Sequence, residues 1–191
     1  MREYLTVLGP LLRGEEVSLS GEHYRVEGGF IVPGTSPVSV LVGALSPRMV
    51  QVAGELSDGI VTWLAGPRTL GADIVPALSE AAVTAGRPAP RVVAGLPVAL
   101  ADPEEARTAA QSRFARYGGL DNYRRVFERE GVSSVAELAV VGTESDVERQ
   151  LTRCAEAGVT ELWAAVFPVG PDSAASLDRT RGLLASWGAT G

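Results

Sequence analysis

Apolar positions fall in two rhythms along this chain. Tyr4, Leu5, Val7, Leu8, Leu11 and Leu12 recur at helical spacing and Gly14 closes the segment, which predicts a leading helix over 4–12. Glu22-His23-Tyr24-Arg25-Val26 alternates polar and apolar like an exposed strand. Gly28, Gly29, Pro33, Gly34 and Pro37 then predict a loop, so 15–37 reads as a hairpin-like excursion. After it come runs that are apolar on successive residues, at 38–43, 60–64, 91–99 and 161–167. Such runs suit strands buried on both faces of a parallel sheet.

Helix signals separate these runs. Residues 47–57 come directly after Ser46, and 68–85 end at Gly86 before Pro88. Asp102-Pro103-Glu104-Glu105 supplies an N-cap, a proline at the first helical position and an acidic first turn. A short helix is predicted over 121–130, and Thr143 with Asp146 resembles a capping box for 144–157, with Gly158 at C′. A last helix spans 173–187. Consecutive βα units of this kind build either an open doubly wound sheet or part of a (β/α)8 barrel. The open sheet needs no missing piece, but as a nucleotide-binding domain it predicts a G-x-G-x-x-G after a strand, and the chain has none. A complete barrel takes about 250 residues, so a chain of 191 would be a barrel without its first part.

The stretch Val38-Ser39-Val40-Leu41-Val42-Gly43-Ala44-Leu45-Ser46-Pro47-Arg48-Met49 carries the most specific chemistry. An apolar run stops in a turn of small residues and restarts as a helix, with Ser46 suited to the N-cap and Pro47 to the first helical position. Free amides and the positive end of the helix dipole there form an anion site, at the strand ends where parallel α/β proteins bind ligands. Many βα turns contain a glycine and a serine and bind nothing.

Composition narrows the partners. An apolar content of 46% over 191 residues supports a substantial core, read as a single domain over 1–191. The net charge of −6 repels phosphate backbones, so neither nucleic acid nor an anionic membrane is expected as a partner. Every basic residue is arginine, which excludes a Schiff-base lysine and a P-loop lysine. Cys154 stands alone, so no intrachain disulfide and no cysteine-based metal site is expected. No run reaches membrane-spanning length, and Arg2-Glu3-Tyr4 opens no signal peptide, which together predict a cytoplasmic location.

Several segments then align with one family. Arg2-Glu3-Tyr4-Leu5 through Leu11-Leu12-Arg13-Gly14-Glu15, with Ser20-Gly21-Glu22-His23-Tyr24, resembles a passage of the bacterial-luciferase-like monooxygenase superfamily. Pro37 to Ala44 looks like that family's fifth barrel strand, and Leu45 to Met49 with Ala53-Gly54-Glu55-Leu56-Ser57-Asp58-Gly59 looks like the family's next segment. Thr62 to Leu70, Ala85-Gly86-Arg87-Pro88 and Gly158 to Trp163 resemble the branch of luciferase-like oxidoreductases that uses coenzyme F420. The resemblance implies a luciferase-like TIM (β/α)8 barrel of which this chain carries the C-terminal half, strands five to eight and their helices. It implies a truncated gene model, a proteolysed product or a fragment, whose open edges should pair in a homo-oligomer. It places the cofactor phosphate against Gly43, Ala44, Leu45 and Ser46, with Met49 in the next helical turn. The implied function is hydride transfer between F420 and an unidentified small organic substrate. An FMN-dependent monooxygenase and an inactive remnant or assembly partner are the alternatives.

Other residues weigh less. Trp63 ends a strand, where an indole either faces a ring system or fills a rim. His23 is the sole histidine and lies in the excursion, which favours an exposed strand residue over a general base. Cys154 lacks a histidine to activate it, Glu55 and Asp58 lack the spacing of an acid and base, and Arg124, Arg125 and Arg129 read as a solvated helix face. No catalytic residue is assigned.

Overall fold

A computed structural model describes residues 1–31, 33, 36 and 38–188; the loop signals Gly34 and Pro37 lie outside the described residues. The chain divides into two compact units, Met1–Ile60 with Ala77–Arg91, and Val61–Pro76 with Val92–Gly191.

The first unit opens with helix α1 (Arg2–Leu12). Strands β1 (Val17–Ser20) and β2 (Arg25–Gly28) pair antiparallel in a two-stranded sheet of their own. Residues 22–24, read from the sequence as strand, instead form the turn, because the Glu3 carboxylate accepts from the amides of Glu22, His23 and Tyr24 at 3.0, 2.9 and 2.9 Å. Those amides hold the Glu3 carboxyl below the usual carboxylate range, the His23 amide contributing most. Strand β3 (Leu41–Gly43) is shorter than the apolar run that predicts it, and helix α2 (Pro47–Leu56) comes next. Gly54 brings α2 close to helix α4 (Val75–Thr84), since a Cβ there would lie 2.5 Å from the Leu78 carbonyl. Asp58 ties the unit together by accepting from the Val40 amide at 2.7 Å and the Arg87 guanidinium at 2.9 Å.

Strand β4 (Gly59–Trp63) runs from the first unit into the second. The segment predicted as one helix over 68–85 starts as α3 (Pro67–Thr69), continues as a π-helical stretch over Leu70–Ile74 and becomes α4. The second unit centres on β5 (Arg91–Leu100), buried at seven of its ten positions. Strands β6 (Val140–Gly142) and β7 (Glu161–Val166) both pair parallel with it. Val98 is in register with both Val140 and Val166, so they flank β5 on opposite edges. The sheet order is β3-β4-β5-β6 with β7 also on β5. The sequence reading missed β6, whose three residues fall below the length at which a strand rhythm shows.

Both faces of β5 are covered, as successive apolar residues require. Leu96 and Val98 pack with Val147, Leu151 and Cys154 of helix α8 (Glu144–Glu156) and Leu183 of helix α9 (Ser173–Gly188). Ala99, on the other face, packs with Val141, Phe167 and the alanines Ala106 and Ala110 of helix α5 (Pro103–Phe114). A 3₁₀ turn (Ala115–Gly119) and the helices α6 (Asp121–Glu130) and α7 (Val135–Leu138) then bring Phe127, Val135 and Leu138 against Leu64.

Candidate functional site

In the first unit β3 ends at Gly43 and α2 begins at Pro47. Strand alternation buries Val42 and Ala44 and leaves Gly43 exposed; Ser46 is exposed, and Leu45 and Met49 are half-buried. The structure thus brings all the sequence-predicted residues, Gly43, Ala44, Leu45, Ser46 and Met49, to one turn. A Cβ added to Gly43 would meet nothing within 4 Å, so the fold itself does not demand glycine there.

Ser46 occupies the N-cap position with Pro47 behind it, but its hydroxyl makes no cap hydrogen bond. This turn differs in that respect from the other helix starts that come after strands among the described residues. Asp102 accepts from the amides of Glu104 and Glu105 at 3.0 and 3.1 Å, and Asp172 from that of Ala175 at 3.0 Å. Thr143 and Asp146 form a reciprocal capping box, in which the Thr143 hydroxyl and then Arg149 hold the Asp146 carboxyl down at about 2. At the start of α3 the donors are taken by a residue from elsewhere in the chain: Glu130 accepts from the amides of Arg68 at 3.2 Å and Thr69 at 2.8 Å. Helix α2 is the start in this set without a side-chain acceptor; Pro47 has no N–H to offer, and the Met49 and Val50 amides donate to the Ser46 carbonyl at 3.0 and 2.9 Å.

The second unit holds an aromatic group that sequence reasoning did not assemble. Trp63 stands 5.3 Å from Trp163, 5.9 Å from Phe114 and 5.8 Å from Tyr117, measured between ring centroids. Gly95, registered with Trp163 in the parallel ladder, makes room for both indoles; a Cβ there would lie 2.8 Å from a ring carbon of each and 2.7 Å from the Thr62 carbonyl. Immediately after Trp63, Leu64 has a positive φ of 57°, alone among the described non-glycine residues. It is fully buried, and its amide donates to the Gly95 carbonyl at 3.0 Å, so packing holds the strained backbone in place. Trp63 and Trp163 lie on two strands that each pair with β5, on either side of Gly95, a signal obscured because the strand order and register were not known.

The lesser candidates have structural roles. His23 is exposed and lends its amide to Glu3. Cys154 is buried, and burial first, then Glu130, pushes its thiol up to about 11. Glu55 pairs with Arg2 and Asp58 with Arg87, so they do not work as a carboxylate couple. Arg124 pairs with Asp121 and Arg129 with Asp73. Among the described residues no cluster of three or more His, Cys, Asp or Glu could hold a metal ion, and no helix is long and apolar enough to cross a membrane.

A family model described as luciferase-like monooxygenase matches residues 1–161. The 5,10-methylenetetrahydromethanopterin reductase of Archaeoglobus fulgidus is 25% identical over 211 residues, covering 93% of this chain and 62% of that protein. The solved coenzyme F420-dependent tetrahydromethanopterin reductase of Methanopyrus kandleri superposes with a TM-score of 0.74 at 22% identity, over 93% of this chain and 59% of that one. The FMN complex of the oxygenating constituent of 3,6-diketocamphane monooxygenase from Pseudomonas putida gives 0.64 at 17% identity, over 96% of this chain and 60% of that one. The chain therefore spans about three fifths of the length of these relatives.

Proposed function

This chain belongs to the luciferase-like monooxygenase family, and from that premise we propose that it is the C-terminal half of a (β/α)8 barrel, strands five to eight, which binds coenzyme F420 and transfers a hydride between it and a small organic substrate. The helix start at Ser46, which has no side-chain cap, carries the proposal. The cofactor phosphate would lie against Gly43, Ala44, Leu45 and Ser46 beside Met49. The residues fit such a group: Gly43 offers empty space where a side chain would stand, and the Ser46 hydroxyl has no cap bond to break. When bound, F420 supplies two-electron hydride chemistry. The chain's own residues bind the phosphate and set the position of the ring system.

FMN is the second reading, favoured by the likeness to an FMN-bound monooxygenase. An inactive remnant or assembly partner is the third reading. We place residues 1–191 in one domain because β4 runs unbroken through both units. A homo-oligomer fits a part-barrel whose sheet edges need cover. The net charge of −6 supports small-molecule partners without nucleic acid or membrane, in the cytoplasm.

The test is titration of the purified protein with F420, FMN and FAD, monitored by cofactor fluorescence, with inorganic phosphate as competitor. Quenching of F420 that phosphate reverses supports the reading. Quenching of FMN alone moves the cofactor to the second reading. Binding of none assigns the chain to the third.

A further inference from the structure

Trp63 Nε1 is buried and has no hydrogen-bond partner. A buried donor without an acceptor carries a desolvation penalty that only an acceptor removes, so an orphan of this kind calls for a reason. The surrounding rings of Phe114, Tyr117 and Trp163 offer π faces, which are weaker acceptors than oxygen. None of these ring partners is charged, and the chain has no lysine. Trp163 is 53% exposed, and its ring lies 5.3 Å from that of Trp63 with the planes tilted by 43°, so an exposed indole leads at an angle onto the buried one. Tyr117, whose ring meets Trp63 edge-on at 5.8 Å, sits on the 3₁₀ turn Ala115–Gly119, where no residue is buried. Tyr117 is held by its ring contact with Tyr123 of α6 at 4.9 Å and by the Arg116 guanidinium, which donates to its hydroxyl at 3.1 Å, both at the exposed rim of the turn.

We propose that Trp63 and Trp163 form the substrate wall of this oxidoreductase, taking an uncharged ring against the indoles while Trp63 Nε1–H donates to an oxygen on that ring. This rests on the oxidoreductase reading above and names its substrate class as a cyclic or aromatic ketone or alcohol. Tyr117 withdraws with its turn to admit the oxygen. Among the described residues the cation at this group, Arg116, lies over the Tyr117 ring and is engaged by its hydroxyl, and none is stacked on either indole, which favours an uncharged ligand over a sugar phosphate.

Ligand-observed saturation-transfer NMR on the full chain tests this with acetophenone, toluene and glucose 6-phosphate as probes. Acetophenone should bind and glucose 6-phosphate should not. Trp63→Phe keeps a ring but removes the donor; it should weaken acetophenone about tenfold, one good hydrogen bond, and leave toluene unchanged. Trp163→Ala should weaken both. Tyr117→Ala uncovers the indole N–H and should tighten acetophenone, which keeps the test decisive if Trp63→Phe loses its near-UV circular dichroism. No acetophenone signal, equal affinity in Trp63→Phe, or no gain in Tyr117→Ala overturns the proposal. F420 titration separates the two readings: F420 binding without acetophenone removes the substrate wall alone, and acetophenone binding without F420 removes the cofactor assignment alone.

Discussion

The turns after β3 and after β4 start their helices with the same grammar, a small residue and then proline, and arrive at opposite states. After β4, Gly66 lies so close to Glu130 that a Cβ would come within 2.3 Å of its carboxylate, and that carboxylate fills the amides of Arg68 and Thr69. After β3, Gly43 faces empty space and the Ser46 hydroxyl makes no cap hydrogen bond. One helix start has an anion supplied by its own chain, and the other has no side-chain acceptor at its N-cap; the proposed function puts an anion from outside there. The dipole and the free amides are shared by every helix; what distinguishes a binding turn is whether the protein has already satisfied them.

Breaking the filled turn should have the largest effect. Glu130→Ala removes two charge-assisted hydrogen bonds at a half-buried position and should lower stability by about 1–2 kcal/mol, read from the urea midpoint. Phosphate in the buffer should recover part of that loss; no recovery would mean the vacated amides do not accept an anion. Gly43→Val should leave the urea midpoint within about 0.5 kcal/mol of wild type while weakening cofactor binding at least tenfold, about 1.4 kcal/mol. Equal loss of stability and binding would show that the glycine serves the fold. Ser46→Ala should weaken cofactor binding by about 1 kcal/mol with no change in stability, whereas Asp102→Ala should lose about 1 kcal/mol of stability.

The smallest expected effect separates capped from open helix starts by pH. Asp146 has its folded pKa depressed from 3.8 to about 2, so the stability it lends is fully present above 3.8 and is lost as the pH falls toward 2. Amide chemical shifts at Thr143 and Asp146 should track that window, and those of Ser46, which has no carboxylate cap, should not.

Local rules exposed the parts of the fold that local rules build. The proline at position 103 after Asp102, the Thr143–Asp146 box and Gly158 after α8 are legible because each acts within a turn of its helix. The strand end and helix start at Gly43–Ser46 were legible for the same reason: Ser46 takes the N-cap position with Pro47 next, although an N-cap residue type does not ensure a cap bond and its hydroxyl makes none. Glu130 on Arg68 and Thr69 was invisible, since 62 and 61 residues separate the partners and no local pattern marks them. The π stretch Leu70–Ile74 shifts the helical phase by one residue without altering the apolar rhythm enough to be read. Trp63 could be placed at a strand end, but its neighbours Tyr117 and Phe114 come from the insertion between β5 and β6, whose path depends on tertiary packing.

Gly95 has a consequence in the genetic code. Every amino acid reachable from a glycine codon by a single base change carries a Cβ, and any Cβ here meets the Thr62 carbonyl and both indoles at under 3 Å. A point-mutation library of this gene should therefore contain no tolerated missense allele at position 95. Position 43, equally glycine, should accept missense alleles freely until the library is selected for cofactor binding, when its tolerated set should collapse as well.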